Sequence, residues 1–145
     1  MNIVPPPTAD QLSERESAPS TALLQSAKGE DPLMRVVFHV DQGDRFDLAQ
    51  ANISNMAAYY EQENIPHQIE LVLNGEAVKL ARKGEKQQSD LNRLLRLPVT
   101  IAVCQNALNN NRIEPGELVA GVSVVPAGVV EIVQKQREGF AYIKP

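Results

Sequence analysis

Short runs of apolar, mostly β-branched residues alternate with segments of helical character from Met34 onward. Continuous apolar runs are typical of strands in a parallel sheet, because helices cover both faces of such a sheet. Strands that alternate with helices form right-handed βαβ units. The pattern predicts an α/β fold with a five-stranded parallel sheet sandwiched between helices, in a flavodoxin-like three-layer arrangement. The predicted strands are Met34–Val40, Ile69–Leu73, Val99–Val103, Val122–Val125 and Phe140–Ile143.

Capping residues and apolar spacing predict the helices between these strands. Asp44 is a candidate N-cap for a first helix of about five turns, in which apolar residues recur at helical spacing. Ser89 is the candidate cap of a second helix, and a short third helix is expected directly after Cys104. Pro126 suits the first turn of a last helix over residues 127–137.

The first 32 residues differ in composition from the rest of the chain. They are rich in Pro, Ser, Glu, Asp and Gln and contain few large apolar residues, although a short helix around 22–27 remains open. A chain of 145 residues fits one domain. The composition therefore predicts a flexible extension over residues 1–32 and one α/β domain over residues 33–145.

Charge and cysteine content exclude several classes of function. The net charge is −4, and the 14 Lys and Arg residues are scattered, so no basic surface for nucleic acid is expected. A single cysteine forms no disulfide or CxxC pair within one subunit. No apolar run reaches the length of a membrane span or a signal peptide, which predicts a cytoplasmic protein with no membrane partner.

Functional residues are expected at one edge of the sheet. In open α/β sheets, ligand and reactive sites lie beyond the carboxyl ends of the strands. The segments that end or follow the predicted strands contain seven polar or turn residues that could line a pocket. These are His39, Asp41, Asn74, Gly75, Gln105, Asn106 and Pro126.

Cys104 is the candidate reactive residue at that edge. It follows Thr-Ile-Ala-Val and precedes Gln-Asn-Ala-Leu, which places it where a buried strand meets the start of a helix. Free N–H groups at a helix start favour a thiolate, and a thiolate could attack a persulfide and carry its outer sulfur. A buried structural cysteine is the competing interpretation, because free cysteines are among the most buried residues.

The other candidate side chains support fewer kinds of chemistry. His39 could meet Cys104 if the first and third strands are neighbours, as in the common strand order 2-1-3-4-5, but a packed structural role is the alternative. His67 is predicted to lie in a polar, solvated connection. Two histidines with one cysteine give no metal-ligand spacing, and neither GxGxxG nor GxxxxGK[ST] occurs, so no metal or cofactor is predicted.

Several segments in order along the chain resemble the DsrE/DsrF-like family. They are Val36–Asp41, Leu73–Gly75 with Ala77-Val78, Ala102–Leu108, Val124–Glu131 and Gln136–Ile143. The resemblance covers about residues 34–145. It implies the DsrE-like five-stranded parallel sheet, assembly into trimers or hexamers and, in the sulfur-relay members, a persulfide-carrying cysteine after the third strand. Cys104 occupies that position.

Two hypotheses for the function follow. The first is a sulfur carrier or sulfurtransferase-like protein that carries sulfane sulfur on Cys104 and exchanges it with donor and acceptor proteins. The second is a non-catalytic oligomeric module that binds a small ligand in the pocket at the strand ends. Reactivity of the thiol toward a sulfane-sulfur donor discriminates between them.

Overall fold

The structure is a computed structural model that describes residues 32–145. The predicted extension and its short helix around 22–27 lie outside the described residues, apart from Pro32. From Met34 onward, strands and helices alternate as the sequence pattern predicts.

All five strands join in one parallel sheet. The strands are numbered β1 to β5 in chain order, and their lateral order is β4-β3-β2-β1-β5. The two longest strands, β1 and β2, pair along their full seven residues near the centre of the sheet. The strands are β1 Met34–Val40, β2 His67–Leu73, β3 Thr100–Cys104, β4 Ser123–Val125 and β5 Ala141–Ile143.

Four α-helices and three 3₁₀ turns connect the strands. The helices are α1 Phe46–Gln62, α2 Gln88–Arg96, α3 Gln105–Asn110 and α4 Gly128–Arg137. The 3₁₀ turns are Gly43–Arg45, Gly75–Ala81 and Pro115–Glu117. The prediction of a five-stranded parallel sheet between helices is therefore confirmed.

The strand order corrects one sequence-based expectation. β2 lies between β1 and β3, so the first and third strands are not neighbours and the order 2-1-3-4-5 is wrong here. His39 ends β1 and Cys104 ends β3, so a full strand separates them. The order could not be read from the strand sequences, because each buried run is apolar on both faces and fits several neighbours.

Period-two alternation divides the strand side chains between two faces of the sheet. One face packs against α1, α2 and α3 in a continuous aliphatic cluster. Each of the three central strands contributes alternate residues to this cluster, which we call the aliphatic face. These residues are Val36, Phe38, Val40, Ile69, Leu71, Leu73, Ile101 and Val103.

The opposite face is covered by α4 and has a smaller apolar cluster, which we call the α4 face. Val37, Val72 and Ala102 from the central strands meet Ile132 of α4 and Phe140 in this cluster. The strand residues that alternate with the aliphatic face are the ones that point this way. The α4 face therefore has far fewer apolar contacts than the aliphatic face.

Two predicted helix caps are wrong. Asp44 lies inside the turn Gly43–Arg45, which runs directly into α1, and the Phe46 N–H donates to the Gly43 carbonyl. Ser89 lies inside α2, because the preceding turn already starts the helix. In both places a turn of the main chain replaces the side-chain cap that the sequence suggested.

Candidate functional site

Cys104 ends β3 at the carboxyl edge of the sheet. It is the residue from which α3 begins, and 6% of its surface is exposed. Leu73 and Val103 are the last paired residues of β2 and β3, so Asn74 and Cys104 follow them side by side. Adjacent strands lie about 4.8 Å apart, which makes Asn74 the nearest neighbour of Cys104 on the β2 side.

Gly128, the first residue of α4, lies against both of these residues. A Cβ atom on Gly128 would lie 3.0 Å from the Cβ of Asn74 and 3.3 Å from that of Cys104. The missing side chain therefore lets α4 begin in contact with the ends of β2 and β3. Ala127 precedes the helix without a side-chain cap, and the contact of Gly128 with Cys104 places the positive, N-terminal end of α4 next to this residue.

His39 is connected to this edge through hydrogen bonds on both ring nitrogens. Its Nδ1 lies 2.7 Å from the hydroxyl of Tyr142, and its Nε2 lies 2.8 Å from Oδ1 of Asn74. The amide Oδ1 can only accept, so Nε2 is the protonated nitrogen and the Tyr142 hydroxyl donates to Nδ1 in the neutral ring. His39 thus reaches Asn74, the neighbour of Cys104, rather than Cys104 itself.

The other predicted pocket residues make their contacts away from the group formed by His39, Asn74 and Cys104. Asp41 accepts a hydrogen bond from Lys144 at 2.7 Å, which is the main cause that lowers the pKa of Asp41. Gly75 has a φ of +56° and starts a 3₁₀ turn. Gln105 donates to Asn109. Asn106 and Pro126 are both exposed.

His67 differs from its expected place in a solvated connection. It is the first residue of β2 and is half-buried, with Nδ1 2.9 Å from the carbonyl oxygen of Ile65. The ring also lies 5.2 Å from that of Tyr60, measured between centroids. These contacts give His67 a structural role at the end of the sheet opposite Cys104.

Glu70 is a buried carboxylate that the sequence analysis missed. It lies in the middle of β2 with 4% of its surface exposed. Lys135 of α4 extends its Nζ to 3.5 Å from Glu70 Oε2 and to 3.9 Å from Glu131 Oε1. Burial, followed by the hydrogen bond and the charge of Glu131, raises the pKa of Glu70 to about 7, whereas Lys135 opposes this rise.

A signal for Glu70 was present in the sequence. The run Ile-Glu-Leu-Val-Leu has one charged residue inside a strand that is apolar on both faces. A parallel strand with helices on both sides has no solvent face for such a residue, so the carboxylate must be buried.

A cleft of ≈ 470 Å³ lies beside α4 on the same face as Glu70. It is open between α4 and the strands β3 and β4, and it has both charged and hydroxyl side chains. Cys104 does not belong to its described lining. The polar lining residues include Glu70, Thr100, Ser123, Glu131 and Lys135.

Two kinds of feature are absent from residues 32–145. Within residues 32–145, no group of three or more His, Cys, Asp or Glu side chains is placed to hold a metal ion. No helix of the same range is long and apolar enough to cross a membrane.

Comparisons with known proteins agree with this fold. A model of the DsrE/DsrF-like family matches residues 33–145. A solved structure of a protein of unknown function from Methanobacterium thermoautotrophicum is 34% identical, with a TM-score of 0.70, and the match covers 77% of this chain and 99% of that one. None of the curated proteins that were compared matches the chain.

Two more distant structures have the same fold. The ychN protein from E. coli is 20% identical over 77% of this chain and 99% of its own, with a TM-score of 0.60. A conserved protein of unknown function from Bacteroides thetaiotaomicron is 18% identical over 79% of this chain and 96% of its own, with a TM-score of 0.56. The family match spans nearly every described residue, and the chain therefore belongs to the DsrE/DsrF-like family.

Proposed function

We propose that the protein carries sulfane sulfur as a persulfide on Cys104, in the manner of a sulfur carrier or sulfurtransferase-like protein. The observation that carries this proposal is the convergence of two helix starts on one thiol. Cys104 is the residue from which α3 begins, and its Cβ lies 3.3 Å from the Cβ position of Gly128, where α4 begins. Helix N-termini stabilise negative charge, and both a thiolate and a persulfide anion are negative.

The proposed reaction needs no cofactor. The Cys104 thiolate attacks the outer sulfur of a donor persulfide, R–S–SH, and a new S–S bond forms while the donor S–S bond breaks. The donor leaves as R–S⁻, which takes up the proton released by Cys104. A thiol of an acceptor protein would reverse these steps and remove the sulfur. The oxidation states of the exchanging sulfurs balance, so no separate oxidant or reductant is required.

The test is the intact mass of the protein after incubation with glutathione persulfide. We expect wild-type protein to gain the mass of one sulfur atom and to return to its starting mass after reduction. Cys104→Ser is the matched control and should show neither change. The alkylation rate of Cys104 in the native and unfolded protein gives the accessibility of the thiol. If native Cys104 resists both reagents while unfolded Cys104 reacts, the thiol is structural and the proposal fails.

The cleft beside α4 favours a second candidate function. Its volume of ≈ 470 Å³ lies within the range of small-ligand pockets, and its lining combines apolar and polar groups. An oligomeric binding module of the same fold would use this cleft without chemistry at Cys104. An unreactive native thiol, together with a small molecule retained in native mass spectra and lost after Thr100→Trp, would favour the binding module.

We also propose that the protein self-associates through the outer surface of α4, as a trimer or hexamer. Val129, Val130 and Val133 are 60%, 64% and 57% exposed, although α4 is otherwise polar on its outside. Three valines within two turns form an apolar strip that a second copy would remove from water. The family resemblance supports the trimeric or hexameric state.

Light scattering of matched variants tests this surface. Val133→Glu places a charge in the middle of the strip and is expected to convert the oligomer to monomer. Leu48→Glu is the control, because Leu48 is 49% exposed on α1, on the other side of the sheet. A monomeric wild-type protein at micromolar concentration, or an equal effect of both variants, would contradict the proposed surface.

The location that suits this chemistry is the cytoplasm. A thiol that exchanges sulfur must return to its reduced form between cycles, and the cytoplasm keeps thiols reduced. Fractionation of cells that express the protein, with immunodetection in each fraction, tests this part of the proposal. Recovery mainly from an oxidising compartment would contradict it.

A further inference from the structure

Asn74 is held in one orientation by a chain of hydrogen bonds that crosses three strands. The hydroxyl of Tyr142 on β5 donates to Nδ1 of His39 on β1, and Nε2 of His39 donates to Oδ1 of Asn74 at the end of β2. Both distances, 2.7 and 2.8 Å, are those of good hydrogen bonds. The amide oxygen can only accept, so Nε2 donates to it, and in the neutral ring the Tyr142 hydroxyl then donates to Nδ1.

The other end of the same amide has no acceptor of its own among residues 32–145. Oδ1 of Asn74 is engaged on the β1 side of β2, and Cys104 follows β3 on the opposite side of β2. The Cβ atoms of Asn74 and Cys104 both lie within 3.4 Å of the Cβ position of Gly128. The two N–H groups on Nδ2 therefore belong to the residue that adjoins Cys104 on the β2 side, and among residues 32–145 no hydrogen bond joins them to the bare thiol.

We propose that Asn74 donates an Nδ2 hydrogen bond to the sulfur carried on Cys104, and that His39 and Tyr142 are positioning residues that fix this orientation. This inference rests on the proposed function, because it concerns the same persulfide. A persulfide anion is an acceptor, and hydrogen bonds to charged acceptors are stronger than those between neutral groups. His39 acts through Asn74 and does not touch the sulfur.

The role of Asn74 is tested with Asn74→Asp, which keeps the shape and the acceptor but replaces the donor with a negative charge. We expect Cys104 to gain sulfur from glutathione persulfide about tenfold more slowly in this variant. Alkylation of bare Cys104 by neutral iodoacetamide is the control for access to the thiol and for its thiolate fraction, which the new carboxylate would lower. An unchanged loading rate, or an equal slowing of loading and alkylation, would overturn the inference.

The positioning chain is tested by conservative rescue. His39→Leu removes the donor to Asn74, whereas His39→Gln keeps an N–H group that can reach the same oxygen. We expect His39→Leu to slow loading several-fold and His39→Gln to restore most of the rate. Tyr142→Phe, which removes one hydroxyl at the surface, should have a smaller effect. Equal loading rates in the His39→Leu and His39→Gln variants would show that the hydrogen bond from His39 does not position Asn74.

The outcomes separate this inference from the proposed function. If wild-type Cys104 gains no sulfur, both fail, because no carried sulfur exists for Asn74 to hold. If wild type gains sulfur and Asn74→Asp does so at the same rate, the persulfide function stands and the role of Asn74 is wrong. Thermal melts of each variant confirm that the compared proteins are folded.

Discussion

The two faces of the sheet differ in what they bury. The aliphatic face meets three helices, and its cluster consists of apolar side chains together with the buried Cys104. The α4 face meets one helix and combines a small apolar cluster with a buried carboxylate and the His39–Asn74 hydrogen bond at its edge. A face with a thin cover has room for polar groups that a closely packed core would exclude.

Neighbouring residues of one strand point to opposite faces, so they are expected to affect different properties of the protein. On β2, Leu71 and Val72 point to opposite faces, and the residues on the side of Val72 include both Glu70 and Asn74. Apart from Cys104, substitutions on the aliphatic face should therefore act mainly on the free energy of unfolding, whereas those on the α4 face should also act on reactivity and on the pH dependence of stability. Three predictions test this division.

The largest expected effect is on the aliphatic face. Leu71→Ala removes a fully buried side chain and should lower the free energy of unfolding by about 2–5 kcal/mol. Val72→Ala, at an equally buried position on the α4 face, should cost about 1–3 kcal/mol. Urea unfolding followed by circular dichroism measures both. Because Leu→Ala deletes one carbon more than Val→Ala, an equal loss for the two variants would show that the α4 face is packed at least as tightly as the aliphatic face.

An intermediate effect is expected from Glu70. Its pKa in the folded protein is raised from the ordinary value of 4.5 to about 7, so the folded state holds a proton that the unfolded chain has lost between these values. The contribution of this proton to the free energy of unfolding is complete below pH 4.5 and is lost as the pH rises through 7. Glu70→Gln should flatten this dependence and stabilise the protein by about 1–3 kcal/mol above pH 7.

Urea unfolding at several pH values checks the behaviour of Glu70. Glu131→Gln is the matched control, because it removes the neighbouring negative charge and keeps the buried carboxyl. It should lower the pKa of Glu70 and shift the loss of stability to lower pH. If wild-type stability instead rises between pH 4.5 and 7, the ion pair with Lys135 outweighs burial and repulsion.

The smallest effect is expected at the surface pair of Asp41 and Lys144. Their side chains are 39% and 46% exposed, and such pairs contribute less than about 1 kcal/mol. Because Lys144 lowers the pKa of Asp41, this small contribution is present at neutral pH and is lost in acid. Asp41→Asn should therefore change neither the melting temperature noticeably nor the sulfur loading of Cys104. A clear loss of sulfur loading would show that Asp41 contributes to the reaction of Cys104.

The sequence predicted the elements of the fold because their signals are local. A β-branched run bounded by polar residues defines β1, and helical spacing defines α1. The strand order is not local, because it depends on which apolar runs pair across the sheet. For that reason His39 was considered as a partner of Cys104, whereas its partner in the structure is Asn74.

Only part of the candidate site was predicted, because strand ends are local signals whereas contacts between strands are not. The rule for the carboxyl edge selected His39, Asn74 and Cys104, and the structure places them along one side of the sheet. The rule did not select Tyr142, which lies in the last strand and reaches His39 only because β5 returns to pair with β1. It also missed Glu70, which lies in the middle of a strand rather than at its end.

The return of the last strand to the first has a consequence for folding during synthesis. β1 pairs with β2 along its whole length, but its other edge is covered only where Val36–Phe38 meet Ala141–Ile143. Until those last residues leave the ribosome, a partial sheet of four strands exposes the unpaired N–H and C=O groups of β1. Such an edge is a template for pairing with another chain. During the interval between synthesis of β4 and of β5, this edge of β1 is therefore open to pairing with another chain.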